Sequence, residues 1–254
     1  MSKQTVFAAR HVGPPPAGDV SGRVYALPLH RREVAISSKR RATPLTADEI
    51  SDAALVIVRT EGLDSLSMRR LAAELDAWPT SVYHHVGDKQ QLVQLVLDRV
   101  HEMIVLPADD LDWREWMEAF AANLAEVLRL HPGVAEHLAT QGNANPQVWI
   151  TTDRTLAVLR RAGFGDEDAG LVWLALMELI GARVRSEQRG PVAEDHPSGA
   201  AALGAMMAEH AADMTHLVAV VPRLVGVAPT NLTDELVALL LDGAAARLAE
   251  SRSS

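Results

Sequence analysis

The chain contains no cysteine, which excludes disulfides and thiolate metal sites. Aromatic residues are scarce, with five Trp, three Phe and two Tyr in 254 residues, so the position of each large ring carries information. No apolar run of about 18 residues occurs, which argues against a membrane-spanning helix. The first residues lack the charged-then-apolar order of a secretory signal, and together these absences predict a cytoplasmic protein. There is no alternating strand pattern, no internal repeat and no Gly-rich phosphate loop. A nucleophile elbow, an H-E-x-x-H zinc motif and a clear pair of inward carboxylates are missing too. An all-helical enzyme on a hydrophobic substrate is therefore a remote alternative, with only Glu178 and His137 to imagine as acid and base. No cofactor is expected.

What is present begins at Thr46, whose hydroxyl can cap a free amide while Glu49 reaches back in a capping box. Ile50, Ala54, Ile57 and Val58 follow at helical spacing, and Gly62 stops the helix. Ser67 opens a second helix with Met68, Leu71, Ala72 and Leu75 inward. Asp76-Ala77-Trp78 has room only for a tight turn. Pro79 suits the first position of a third, two-turn helix ending at Val86. Around Val82 and Val86 this short helix carries Thr80, Ser81, Tyr83, His84 and His85, side chains that meet phosphates and base edges. Asp88 caps a fourth helix with Lys89 in its first turn, where ammonium, free amides and macrodipole together make a phosphate clamp. A small polar helix presented outward from three is the layout of a helix-turn-helix DNA reader.

Leu66-Ser67-Met68-Arg69-Arg70-Leu71-Ala72, Tyr83-His84-His85-Val86-Gly87-Asp88-Lys89 and Leu92 resemble the DNA-binding domain of the tetracycline-repressor family. The resemblance extends more weakly through Asp112-Trp113-Arg114-Glu115-Trp116 and Arg129-Leu130-His131-Pro132 to Ala162-Gly163-Phe164, covering residues 45–250. The family usually has Gly-Val where this chain has Asp76-Ala77, and Asp tolerates the left-handed conformation the turn needs. Trp78 is a further departure: its ring either touches a thymine methyl or sugar, or packs on the first helix. The resemblance implies an all-α protein with three parts. Residues 1–42 form a flexible basic extension, 43–90 a helix-turn-helix domain, and 91–250 a helical ligand-binding and dimerisation domain.

The net charge is −9, which suits a DNA binder only once the charge is located. Residues 1–41 hold eight of the 24 Lys and Arg but, in Asp19 and Glu33, only two of the 33 acidic residues. Lys39, Arg40 and Arg41 stand at the entrance to the first helix, where an arm can reach a phosphate or a minor groove. The alternative is a solvated tail. Beyond Pro107 the pattern is helical throughout. Helices are expected from Asp112 to Leu130, in a short piece to Thr140, from Pro146 to Ala162, from an Asp166 cap to Arg189, from Ser198 to Val218 and from Asn231 to Ala249.

On the DNA surface the expected residues are Thr46, Ser67 and Trp78 to Ser81 (Pro79 and Thr80 included), with Tyr83, His84 and Lys89 on phosphates. Arg69, Thr80 and Ser81 are best placed to read bases, Arg69 as a bidentate guanine contact. Leu232, Leu236, Leu239, Leu240 and Ala244 to Ala246 make a broad apolar face on the last helix, and the helix from Asp166 is apolar on more than one side. In relatives the corresponding helices pair with their mates in a four-helix bundle, so a homodimer is implied. An effector pocket for a hydrophobic small molecule is expected from Trp116, Phe120, Leu124, Val148, Thr151, Thr155, Trp173 and Met177, with plain core as the competing explanation. His137-Leu138-Ala139-Thr140 resembles a drug- and magnesium-holding stretch of the tetracycline repressor itself. Its other polar positions are replaced by Phe120, Thr155 and Val105, so neither tetracycline with magnesium nor any metal is expected. The function implied is a ligand-responsive repressor that binds a palindromic operator as a homodimer. An activator, or a regulator answering to a protein effector, is the alternative.

Overall fold

A computed structural model describes residues 45–143, 145–189, 199–210, 212–226 and 229–253. These comprise eleven α-helices and one 3₁₀ turn, with no strand among the described residues. Helix α1 (Ala47–Glu61) begins at the expected capping box: Thr46 Oγ1 accepts from the Glu49 amide at 3.2 Å, and Glu49 Oε2 accepts from the Thr46 amide at 3.1 Å. Ile50, Ala54, Ile57 and Val58 are all buried. Gly62 ends α1, and the 3₁₀ turn Leu63–Ser65, which no sequence pattern announces, leads into α2 (Met68–Glu74) under a Ser67 cap.

The turn after α2 explains the departure at Asp76. This residue alone among the described non-glycines has a positive φ, 48°. Its amide donates to Ala73 O, and the Ala77 amide returns to Ala72 O at 2.9 Å. Those two bonds form a Schellman closure, normally made with glycine and here tolerated by Asp. The chain then enters α3 (Pro79–Val86) with Pro79 in its first turn, and α4 (Lys89–Glu102) under the Asp88 cap. α1 packs on α2 and α4, and α3 on both α2 and α4.

The larger part follows Pro107. It contains α5 (Trp113–Arg129), α6 (Val134–Gln141), α7 (Pro146–Ala162), α8 (Asp166–Gln188), α9 (Gly199–His210), α10 (Thr215–Gly226) and α11 (Pro229–Ser253). α8 is the hub, packing on α5, α6, α7 and α11 through Ala169, Val172, Leu176, Ile180 and Val184. Several boundaries differ from expectation, among them the end of α10, which runs to Gly226 rather than Val218. Gly165, not Asp166, is the α8 cap; Asp166, Glu167 and Asp168 instead fill the first turn, where negative charge complements the free amides. The helix expected from Ser198 to Val218 is two helices, broken where the amides of Asp213 and Met214 both bond His210 O. α11 runs beyond Ala249 to Ser253, and Arg252 there donates to Ala162 O at the end of α7.

Candidate functional site

The residues expected to face DNA fall on α2, α3 and the start of α4, while Lys39, Arg40 and Arg41 lie outside the described residues. Arg69, Thr80, Tyr83, His84 and Lys89 are exposed, and Pro79 and Ser81 half-buried. Trp78 keeps 59% of its surface in solvent, so its ring is not part of the core. Thr46 and Ser67 spend their oxygens as caps, Ser67 Oγ accepting from the Arg70 amide at 3.2 Å. The two neighbouring arginines differ. Arg70 is clamped by Glu61 and Glu74, at 2.5 and 2.9 Å, which holds α2 to the end of α1; Arg69 points outward.

Local backbone chemistry aims α3 and α4. Val82 and Val86 are buried and fix the inner side of α3, which turns Thr80, Tyr83 and His84 out. Gly87 has φ +84° and ψ −89°, a backbone conformation that side-chain-bearing residues rarely adopt, which is why glycine suits the joint. Asp88 accepts from the Gln91 amide at 2.8 Å. The remaining first amides of α4 have no intrahelical acceptor, and Lys89 stands beside them.

The interior set divides by burial. Trp116, Phe120, Leu124 and Thr155 are buried, whereas His137, Val148, Thr151, Trp173 and Met177 are partly exposed. Three rings form a row across α5 and α8. Trp116 stacks on Phe120 with centroids 5.4 Å apart, and Phe120 meets Trp173 at 6.1 Å. Trp116 Nε1 is buried and has no hydrogen-bond partner, an expensive condition for a donor. Thr155 Oγ1 donates to Thr151 O. Thr151 Oγ1 lies 3.1 Å from His101 Nε2, in the last turn of α4. His101 was not foreseen; its place four residues after buried Leu97 is the signal that marks its inward face. Val105, aligned by resemblance with a pocket position, is 66% exposed.

α4 is joined to the start of α7 by a second polar cluster. Asp98 Oδ1 accepts from Gln94 at 2.7 Å and from Asn145 at 2.8 Å, and Gln94 also donates to Asn143 at 3.0 Å. Two clefts open elsewhere. One of about 430 Å³ lies between α5 and α11, lined by Glu118, Ala121, Thr233 and Val237; another of about 440 Å³ lies between α1 and α4, beside Arg59 and Arg99. Neither is lined by the expected pocket residues. Among the described residues no helix is long and apolar enough to cross a membrane.

The family described as "Tetracyclin repressor-like, C-terminal domain" matches residues 106–247, and "Bacterial regulatory proteins, tetR family" matches residues 50–96. An HTH-type transcriptional regulator of Saccharopolyspora erythraea is 35% identical over 144 residues, 56% of this chain and 61% of that protein. The HTH-type transcriptional repressor DrrR1 of Streptomyces coeruleorubidus is 36% identical over 126 residues, 49% of this chain and 47% of that one. The matches thus span about half to three-fifths of those relatives' lengths. The crystal structure of Streptomyces coelicolor ActR in complex with actinorhodin has a TM-score of 0.66 at 27% identity, covering 80% of this chain and 96% of that one.

Proposed function

Because the chain belongs to the tetracycline-repressor-like family, we propose that it is a cytoplasmic, ligand-responsive transcriptional repressor that binds a palindromic operator as a homodimer. The observation that carries this reading is the outward array of Arg69, Thr80, Tyr83, His84 and Lys89 across α2, α3 and the start of α4. Each copy lays its α3 in a major groove. Tyr83, His84 and Lys89 fix the register on phosphates, and Arg69, Thr80 and Ser81 read bases. Trp78 extends the surface toward the sugar edge. Lys39, Arg40 and Arg41 add phosphate contacts from the N-terminal side.

Dimerisation is supported by what α8 and α11 leave uncovered. On α11 the buried positions Val237, Leu241, Ala244 and Leu248 serve the core, while Leu239 is 68% exposed in line with Leu232, Leu236, Gly243 and Ala246. On α8, Leu171 and Leu174 are 50% and 60% exposed. Two apolar stripes with small residues between them suit a second copy of the same helices.

The effector reading rests on the ring row and its unpaired donor. A hydrophobic small molecule lodged among Trp116, Phe120, Leu124, Val148, Thr151, Thr155, Trp173 and Met177, with His137 at the rim, gives Trp116 Nε1 an acceptor. The complex of Streptomyces coelicolor ActR with actinorhodin supports a small-molecule effector. Movement of Thr151 would break its contact with His101 and shift α4, which leads to the reader. A coupling of about 1–3 kcal/mol is enough to change operator affinity by roughly 5- to 150-fold. The test is fluorescence anisotropy of a labelled palindrome titrated with purified protein, with stoichiometry read at saturation. Two chains per duplex, and competition by that palindrome but not by a scrambled duplex, is the expected result; one chain, or equal competition, would sink the reading.

A further inference from the structure

Among the described residues, two attachments join the reader to the helical body. One is α4. The other is the corner between α5 and α6, residues 130–133, which grips the end of α1. The Leu63 amide donates to Pro132 O at 2.9 Å. Arg59 Nε donates to His131 Nε2 at 3.1 Å, across 72 residues of sequence. His131 has no exposed surface, and its Nδ1 lies 2.6 Å from Val127 O. A carbonyl only accepts, so the ring proton sits on Nδ1 and Nε2 is left as the acceptor Arg59 requires. The two partners together define one neutral tautomer. Arg59 Nη2 also reaches Met103 Sδ at 3.4 Å, just past the end of α4, so one guanidinium touches both attachments.

The corner is built for close approach and is braced from behind. Gly133 has φ +86°, a conformation side chains rarely adopt, and a Cβ on it would lie 3.0 Å from Leu63 Cβ and 3.2 Å from Leu63 N, so a side chain there requires the corner or Leu63 to give by a few tenths of an ångström. The Gly133 amide donates to Gln188 Oε1 at 3.3 Å, and Gln188 Nε2 donates to Leu128 O at 2.9 Å. Arg129 Nε donates to Glu187 at 2.7 Å, and Thr233 of α11 donates to the same carboxylate at 3.2 Å. These bonds register the corner against the ends of α8 and α11, the helices that carry the uncovered apolar stripes.

A body held by one strut can swing about it, whereas a second attachment removes that freedom. We propose that Arg59 and His131 are positioning residues that fix the separation of the two reading heads, so that half-site spacing in the operator is specified by a joint far from the DNA. This rests on the homodimeric operator-binding reading above. In a dimer each head is tied through its own corner to the dimer helices, and the distance between the two α3 helices is therefore set by the joint as well as by α4. Loosening the joint admits other spacings at little cost while leaving base contacts intact.

The test uses the full chain and its selected palindrome in a series with the half-sites moved apart or together by one and two base pairs. Affinities are read by anisotropy at one salt concentration. Arg59→Met keeps the aliphatic stem and removes the donor; Arg59→Lys restores one; Lys89→Ala serves as a pure phosphate-contact control. Wild type should prefer one spacing sharply. Arg59→Met should lose at least about fivefold of that preference, the equivalent of one net hydrogen bond, with Arg59→Lys recovering part of it. Gly133→Ala, which displaces the corner without touching Arg59, should shift or flatten the same profile. If folded Arg59→Met kept the wild-type spacing profile, or weakened all spacings equally as Lys89→Ala should, the inference would be wrong and the operator-binding reading untouched. Absence of any preferred spacing in wild type would overturn both.

Discussion

Replacing Lys89 with Ala tests the assignment of roles on the reading surface. Lys89 is exposed in the first turn of α4, beside amides that Asp88 leaves free once it has taken the Gln91 amide. It is placed to neutralise one phosphate per head and to read no base. Each neutralised phosphate contributes about 0.9 to the slope of log affinity against log salt. With two heads the dimer should lose about 1.8 units of slope, so over a fourfold rise in salt the affinity gap between wild type and variant should close by roughly 12-fold. The assay is anisotropy titration at four salt concentrations on both the selected palindrome and a scrambled duplex. The slope loss should be the same on both, with sequence preference unchanged. Arg69→Ala should do the reverse, leaving the slope nearly intact and costing about 1–3 kcal/mol of discrimination at the base it reads in each half-site. If Lys89→Ala changed the preferred sequence and left the slope alone, the division between phosphate and base contacts would be refuted.

Two further outcomes follow from the interior and the joint. Trp116→Phe keeps a ring stacked near Phe120 and removes the unpaired N–H; it should fold and bind operator, yet reduce release by carbonyl-bearing aromatic effectors by about fivefold or more, as measured by operator release across a set of aromatic ketones and quinones. An unchanged response would remove Trp116 from effector recognition, and loss of folding would make it plain core. His131 should make stability fall in mild acid: burial, and to a lesser degree the Arg59 charge, hold its pKa below the ordinary histidine value, against the opposing pull of the Val127 carbonyl. The unfolded chain then takes up the proton first, so stability is full above about pH 6.5 and declines as pH falls from there toward the folded pKa. The bond to Arg70 lowers the pKa of Glu61, and against the opposing effect of burial Arg129 lowers that of Glu187; both lose their contribution only as pH falls from the ordinary carboxylate value toward the lowered one, so urea midpoints between neutral pH and pH ~5.5 lie above that window and report the histidine. His131→Gln should flatten that slope; a slope identical to wild type would contradict the assignment.

The parts of the fold that were legible in the sequence are those fixed within one helical turn. Thr46 with Glu49, Ser67 and Asp88 accept from neighbouring amides, Pro79 and Pro146 fix φ in the first turn, and the helices begin where these residues place them. Asp76 in the left-handed turn was legible for the same reason. The break between α9 and α10 was not, because neither Pro nor Gly marks it and the apolar pattern runs through. Of the candidate site, the outward face of α3 follows from its two buried valines, and the Trp116–Phe120 stack from helical spacing. His101 against Thr151 and Arg59 against His131 join residues 50 and 72 positions apart. Single pairs at such separations leave no period in a sequence; only packing brings them together.

Whether a dimer of this chain reads a palindrome is settled by selecting binding sites from randomised duplex DNA with the purified chain at one near-physiological salt concentration. The account predicts enrichment of an inverted repeat with half-sites about one turn of DNA apart. Recovery of no sequence above non-specific binding would contradict it.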